Sequence, residues 1–130
     1  MSSKPFDIRE RSYIFGRDVF AFTRRNLGSS DFVVRRLAVQ LIDAAGSVGA
    51  NLEEAADGQS KADFISKNCI ALKEVREAKF WLRQLRDADP QRLNAPATPL
   101  ISEAEELRKI VTSIVVSAQR TRSFRGESSK

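Results

Sequence analysis

VGANLEEAADGQSKADFISKNCIALKEV, residues 48–75, holds two helical patterns joined by almost nothing. Val48, Leu52 and Ala55 end an apolar face that begins at Val34 and passes through Leu37, Leu41 and Ala45 at steps of three and four, the period of one helix face. Asp57 and Gly58 stop that helix, and Gly58 is expected to take the left-handed C-terminal position that glycine tolerates. Ser60 follows at once as an N-cap, with Asp63 three residues on in an arrangement close to a capping box. A third helix then carries Phe64, Ala71, Val75, Ala78, Leu82 and Leu85 to about Ala88. So short a link forces the two helices to lie antiparallel and side by side.

Working outward, Ile8, Ser12, Phe15, Val19 and Phe22 line one face of a first helix from about Pro5 to Leu27, which Gly28, Ser29 and Ser30 end. The second helix spans Asp31 to Asp57. Downstream, the segment from Asp89 and Pro90 through Pro96 reads as the longest loop of the chain. Thr98 then serves as N-cap with Pro99 at the first helical position, and Leu100, Ala104, Leu107, Val111, Ile114 and Ala118 form the fourth seam. No run alternates with period two, so a sheet has nothing to build from. The expected fold is all-α: an antiparallel up-down four-helix bundle, one domain over residues 5–122, with a flexible C-terminal tail over 123–130.

A chain of 130 residues supports one core and not two. With 42% hydrophobic and 30% charged residues it lies outside the composition of disordered chains. The first residues lack the apolar core of a signal peptide, and no stretch approaches the ~18 uninterrupted apolar residues of a membrane span, so a cytoplasmic protein without membrane contact is expected. Cys69 is the sole cysteine; it has no internal disulfide partner and no metal spacing around it, and buried packing is its expected role.

Chemistry finds little to use. Without histidine the inward Glu-x-x-His pairs of a di-iron bundle cannot form, and the Ser-His and Cys-His nucleophile systems are excluded with them. The remaining acids or bases are Glu53, Glu54, Glu74 and Glu77, for which local ion pairing, as between Lys73 and Glu77, is the simpler account. No catalytic residue, cofactor or metal ligand is therefore assigned. Gly46 and Gly49 each cost about 1 kcal/mol in a helix interior, which close approach of a neighbouring backbone would offset; the alternative is a kink. Ser47, Asn51 and Asn68, on or near the seams, are expected to bond from helix to helix and fix register, with a ligand site between the helices as the second reading.

The runs SVGANLEEA (residues 47–55), QSKADF (59–64) and IALKEVREAKFWL (70–82) resemble the bacterial four-helix bundle family typified by proteins encoded in intervening sequences of 23S ribosomal RNA genes. Ser47, Asn51, Glu54, Ser60, Asp63, Phe64 and Glu77 fall at the matching motif places. Leu52 and Ala55 replace the isoleucine and the final glycine of the family's Asn-Ile-Ala-Glu-Gly motif, and Lys73-Glu74 stands where many members have Gly-Ser, which points to a subgroup. The resemblance implies the bundle fold and a closed homopentamer. It also implies kinship with the accessory variability determinant of diversity-generating retroelements, which binds nucleic acid and a reverse transcriptase.

The net charge of +5 attracts polyanions, and it is uneven, the second helix being acidic and its neighbours basic. Lys73, Arg76, Lys79, Arg83 and Arg86 recur at steps of three and four on one face of the third helix; Arg17 and Arg24 add charge from the first, and Arg120, Arg122 and Arg125 from the tail. Two functions remain. One is a homo-oligomer that holds RNA or DNA, structured RNA first, by its phosphates. The other is a protein-interaction scaffold without nucleic acid, in which Tyr13 and Trp81 are candidate anchors unless they pack in the core or between subunits. The same unevenness of charge also fits matching between helices or between subunits.

Overall fold

The computed structural model describes residues 7–28 and 31–128, with side chains to Thr121. Four helices occur in chain order: α1 (Ile8–Asn26), α2 (Phe32–Ala56), α3 (Lys61–Ala88) and α4 (Pro90–Ser128). Each helix packs on the next, and α4 returns to α1, so the four stand as an up-down square. The first three starts are capped by side chains: Asp7 accepts from the Arg9 N–H at 2.9 Å, Asp31 from Val34 at 2.9 Å and Ser60 from Asp63 at 3.0 Å. An α1 start near Pro5 and the sequence after Arg122, including the expected flexible tail, fall wholly or by their side chains outside the described residues, although the α4 backbone is helical to Ser128.

The core follows the expected seams, except that Ile8, Leu37 and Ile114 are only half-buried and Val115 takes the buried place beside Ile114. Phe15 and Val19 of α1, Leu41 and Val48 of α2, Val75, Leu82 and Leu85 of α3, and Leu107 and Val111 of α4 are all buried. Ser12 is buried with them and donates its hydroxyl to the Arg9 carbonyl at 2.9 Å. Phe64 is only half-buried; Ile65 takes the first buried place on α3.

Several expectations are corrected. The loop over Asp89–Pro96 does not exist: Asp89 alone separates α3 from α4, and Pro96 and Pro99 lie inside the fourth helix. Leu93 and Ala97, both fully buried, continue the apolar face of Leu100 and Ala104, and that burial outweighs the proline penalty. The carbonyls deprived of an intrahelical partner by the two prolines belong to Arg92 and Ala95, both exposed residues and so open to solvent. Thr98 is accordingly no cap; its hydroxyl donates to the Asn94 carbonyl at 2.6 Å.

Gly58 is not left-handed, since no described glycine has positive φ. Its space is what matters: a methyl group there would stand 3.1 Å from both the Ala55 carbonyl oxygen and Asp63 Oδ2. Cys69 is exposed, because the helical phase gives the adjacent buried place to Asn68. Asn51 and Asn68 do not bridge helices by their amides: each Nδ2 donates to the carbonyl four residues back, of Ser47 at 2.8 Å and of Phe64 at 2.9 Å.

The expected close approach of a backbone is found at Gly49 and not at Gly46, where a methyl group would meet the Phe20 side chain at 3.5 Å; Gly16 of α1 supplies the other close approach. A methyl group on Gly16 would lie 3.4 Å from the Ala45 carbonyl oxygen, and one on Gly49 would lie 3.7 Å from the Ser12 carbonyl, so α1 and α2 meet nearly backbone to backbone.

Candidate nucleic-acid interface

Antiparallel topology sorts the charge by height. The last turn of α1 brings Arg24 and Arg25 to one end of the bundle, the start of α2 brings Arg35 and Arg36, the end of α3 brings Arg83 and Arg86, and the start of α4 brings Arg92. Arg92 ties this end together by donating to the Asn26 carbonyl and to Asp89. Arg36 lies over the exposed Phe32 ring at 5.8 Å from its centre. At the opposite end Glu53, Glu54, Asp57 and Asp63 line an open cleft, where Lys67 pairs with Glu54 at 2.6 Å. Counting charge helix by helix misses the basic end, which adding charges by height along an up-down path finds; at the opposite end Arg9, Arg11, Lys61 and Lys67 offset most of the acid, and only the cleft itself is acidic.

The basic face of α3 is only partly available. Lys79 reaches α4 and binds Glu105 at 2.8 Å, and Arg108 holds the same carboxylate at 2.6 Å. Hydrogen bonds from Arg108, then Lys79, hold the Glu105 carboxyl down to about 2. Arg86 pairs with Asp87 at 2.9 Å and Arg17 with Asp18 at 3.3 Å. Lys73, Arg76, Arg83 and Arg24 are exposed and make no ion pair among the described residues. The stripe is therefore half structural and half open.

The four candidate carboxylates fall into two separate pairs, Glu53 and Glu54 at the open cleft and Glu74 beside Glu77 on α3, and not into one site. Glu54 is paired, and Glu74 is pushed up, first by burial and then by Glu77 beside it. Among the described residues no group of His, Cys, Asp and Glu is arranged to hold a metal ion, and no helix is long and apolar enough to cross a membrane. Of the other motif residues, Ser47 and Ser60 serve backbone roles, while Glu77 is exposed. Tyr13 is 64% exposed and Trp81 half-buried against the core, so only Tyr13 is presented as an anchor.

An all-α bundle whose ordered polar motifs shape helices and whose surface separates charge is the class these features define. The family model described as 23S rRNA-intervening sequence protein matches residues 4–113, and the chain belongs to that family. A solved structure of a protein of unknown function from the S23 ribosomal protein family, from Bacteroides thetaiotaomicron VPI-5482, is similar at 30% identity with a TM-score of 0.72, over 84% of this chain and 98% of that one. No curated protein matches.

Proposed function

We propose that this chain is a non-enzymatic, homo-oligomeric nucleic-acid-binding protein that grips structured RNA through phosphates and reads no bases. The observation that carries the reading is the gathering of arginines from all four helices at one end, continuous along α3 with exposed Arg76 and Lys73. Arginine guanidinium groups suit phosphate geometry, and their sum on one end makes a field that survives the near-balance of charge elsewhere. The family resemblance supports a pentamer as the form of this oligomer, and cytoplasmic residence is part of the same proposal.

Fluorescence anisotropy of a labelled RNA hairpin against rising salt tests it. Binding is expected to fall steeply with salt. In a variant carrying Arg24→Gln, Arg36→Gln and Arg83→Gln the slope is expected to be shallower by roughly 0.9 for each phosphate no longer neutralised. An unchanged slope would sink the assignment. The exposed Tyr13 and Phe32 favour a second reading, a scaffold for a protein partner such as a reverse transcriptase, whose binding would change little with salt.

A further inference from the structure

Toward the basic end, α1 and α4 leave an open groove of about 640 Å³ between them. Ala21 and the buried Phe22 and Leu100 form its floor, and Pro96 and Pro99 line it on the α4 side. Two contacts between the same helices bound it: Arg92 donates to the Asn26 carbonyl above, and the Arg11–Glu103 ion pair lies below. The small side chain of Ala21 and the compact proline rings leave the space between these contacts unfilled.

The two walls differ in chemistry. On α1, Arg25 is exposed and makes no ion pair among the described residues, whereas Arg17, about 12 Å lower at 1.5 Å per residue, is paired with Asp18. On α4, Pro96 and Pro99 leave the Arg92 and Ala95 carbonyls without the N–H that a helix supplies four residues on. A helical carbonyl points along the axis toward that fourth residue, so both acceptors open beside the prolines that line the groove. They stand about 4.5 Å apart along the helix. One wall therefore offers an unpaired cation and the other offers two open acceptors.

We infer that this groove holds the sugar–phosphate backbone of RNA, with a phosphate on Arg25 and ribose 2′-hydroxyls donating to the Arg92 and Ala95 carbonyls. The inference rests on the RNA reading of the proposed function and adds to it a means of telling RNA from DNA without reading a base. The 2′-hydroxyl is the donor that DNA lacks, and an A-form duplex displays it on its wide, shallow side among the phosphates. The apolar floor suits the C–H face of the ribose. A peptide would also bring N–H donors, but its backbone has no anion for Arg25, and the groove runs into the arginines gathered at the basic end. Two prolines that cost the helix stability thus acquire a use, since they keep two acceptors open.

The test uses one hairpin in two forms: ordinary RNA, and RNA with fluorine in place of each 2′-hydroxyl, which keeps the A-form shape and every phosphate but donates nothing. By fluorescence anisotropy at fixed salt, the natural chain is expected to bind the ordinary hairpin roughly fivefold or more tightly, as the loss of one or two hydrogen bonds implies, with the same salt slope for both. Pro96→Ala combined with Pro99→Ala returns the two N–H groups to the helix and occupies the carbonyls. In that variant the preference is expected to fall toward one while the salt slope stays, and folding is not at risk because the proline penalty is removed. Arg25→Gln is expected to weaken both hairpins alike and to flatten both slopes, leaving the preference unchanged. Failure of the natural chain to bind either hairpin overturns the RNA reading and this contact together. Salt-dependent binding of both forms with equal affinity overturns the contact alone, and so does a preference that persists undiminished in the double proline variant.

Discussion

Arg11 of α1 and Glu103 of α4 form a two-pronged ion pair, Nε to Oε2 at 2.8 Å and Nη2 to Oε1 at 2.9 Å, with side chains only 13% and 18% exposed. It bridges the least extensive of the four helix contacts. Being sheltered and fork-shaped, it escapes the entropy and screening that make most surface pairs worth little. Glu103→Ala is expected to destabilise the fold by about 1.5–3 kcal/mol in urea unfolding, because Arg11 is left partly desolvated and unpaired. Equal stability of the variant would reduce the pair to a surface ornament.

Glu105 ties α4 to α3 through Lys79 and makes a pH prediction. Its folded pKa, about 2, is below the ordinary value of 4.5. A depressed carboxyl pKa means stability that is fully present above the unfolded value and lost as pH falls through the folded one. The advantage in melting temperature of the natural chain over Glu105→Gln is therefore expected to be constant near neutrality and to shrink between pH 4.5 and about 2. A constant difference across that window would show that Glu105 gains nothing from its two cations.

The α3–α4 junction marks where sequence patterns stop. Pro90, Pro96 and Pro99, with Asn94 among them, form the densest turn signal in the chain, and local chemistry alone favours a loop. Leu93 and Ala97 carry the contrary signal, since they continue the spacing of Leu100 and Ala104 toward α3. Tertiary burial decides between them. The same holds for Cys69 and Asn68, whose order of burial is set by helical phase against intrinsic polarity. The strong seams from Val34 to Ala55 and from Ala71 to Leu85 are legible because every position agrees with its neighbours. The available half of the basic stripe is not legible, since Glu105 and Lys79 are 26 residues apart.

The two readings of the fourth helix predict opposite signs. If Pro99 sat at a helix start after a Thr98 cap, Pro99→Ala would be neutral or harmful, and Thr98→Ala would cost about 1 kcal/mol. Inside α4, proline is a penalty of roughly 3 kcal/mol, so Pro99→Ala is expected to raise the melting temperature and Thr98→Ala to change it little. Leu93→Ala completes the test: at a fully buried position it is expected to cost about 2–5 kcal/mol, whereas in an exposed loop it would cost almost nothing.

Lys79 and Arg83 lie one turn apart on α3, and their different partners divide their roles. Lys79 is held by Glu105, so an RNA phosphate must compete with a carboxylate already in place at 2.8 Å. Arg83 is exposed and has no ion pair among the described residues. Arg83→Gln is therefore expected to weaken hairpin binding several-fold at low salt and leave thermal stability unchanged. Lys79→Gln is expected to lower the melting temperature by a few degrees with a smaller effect on binding, since its loss is felt first where α3 packs on α4. Measuring both quantities on both variants separates the structural half of the stripe from the binding half. Equal losses of RNA affinity in the two would mean that the phosphate displaces Glu105 and that the whole stripe acts as one site.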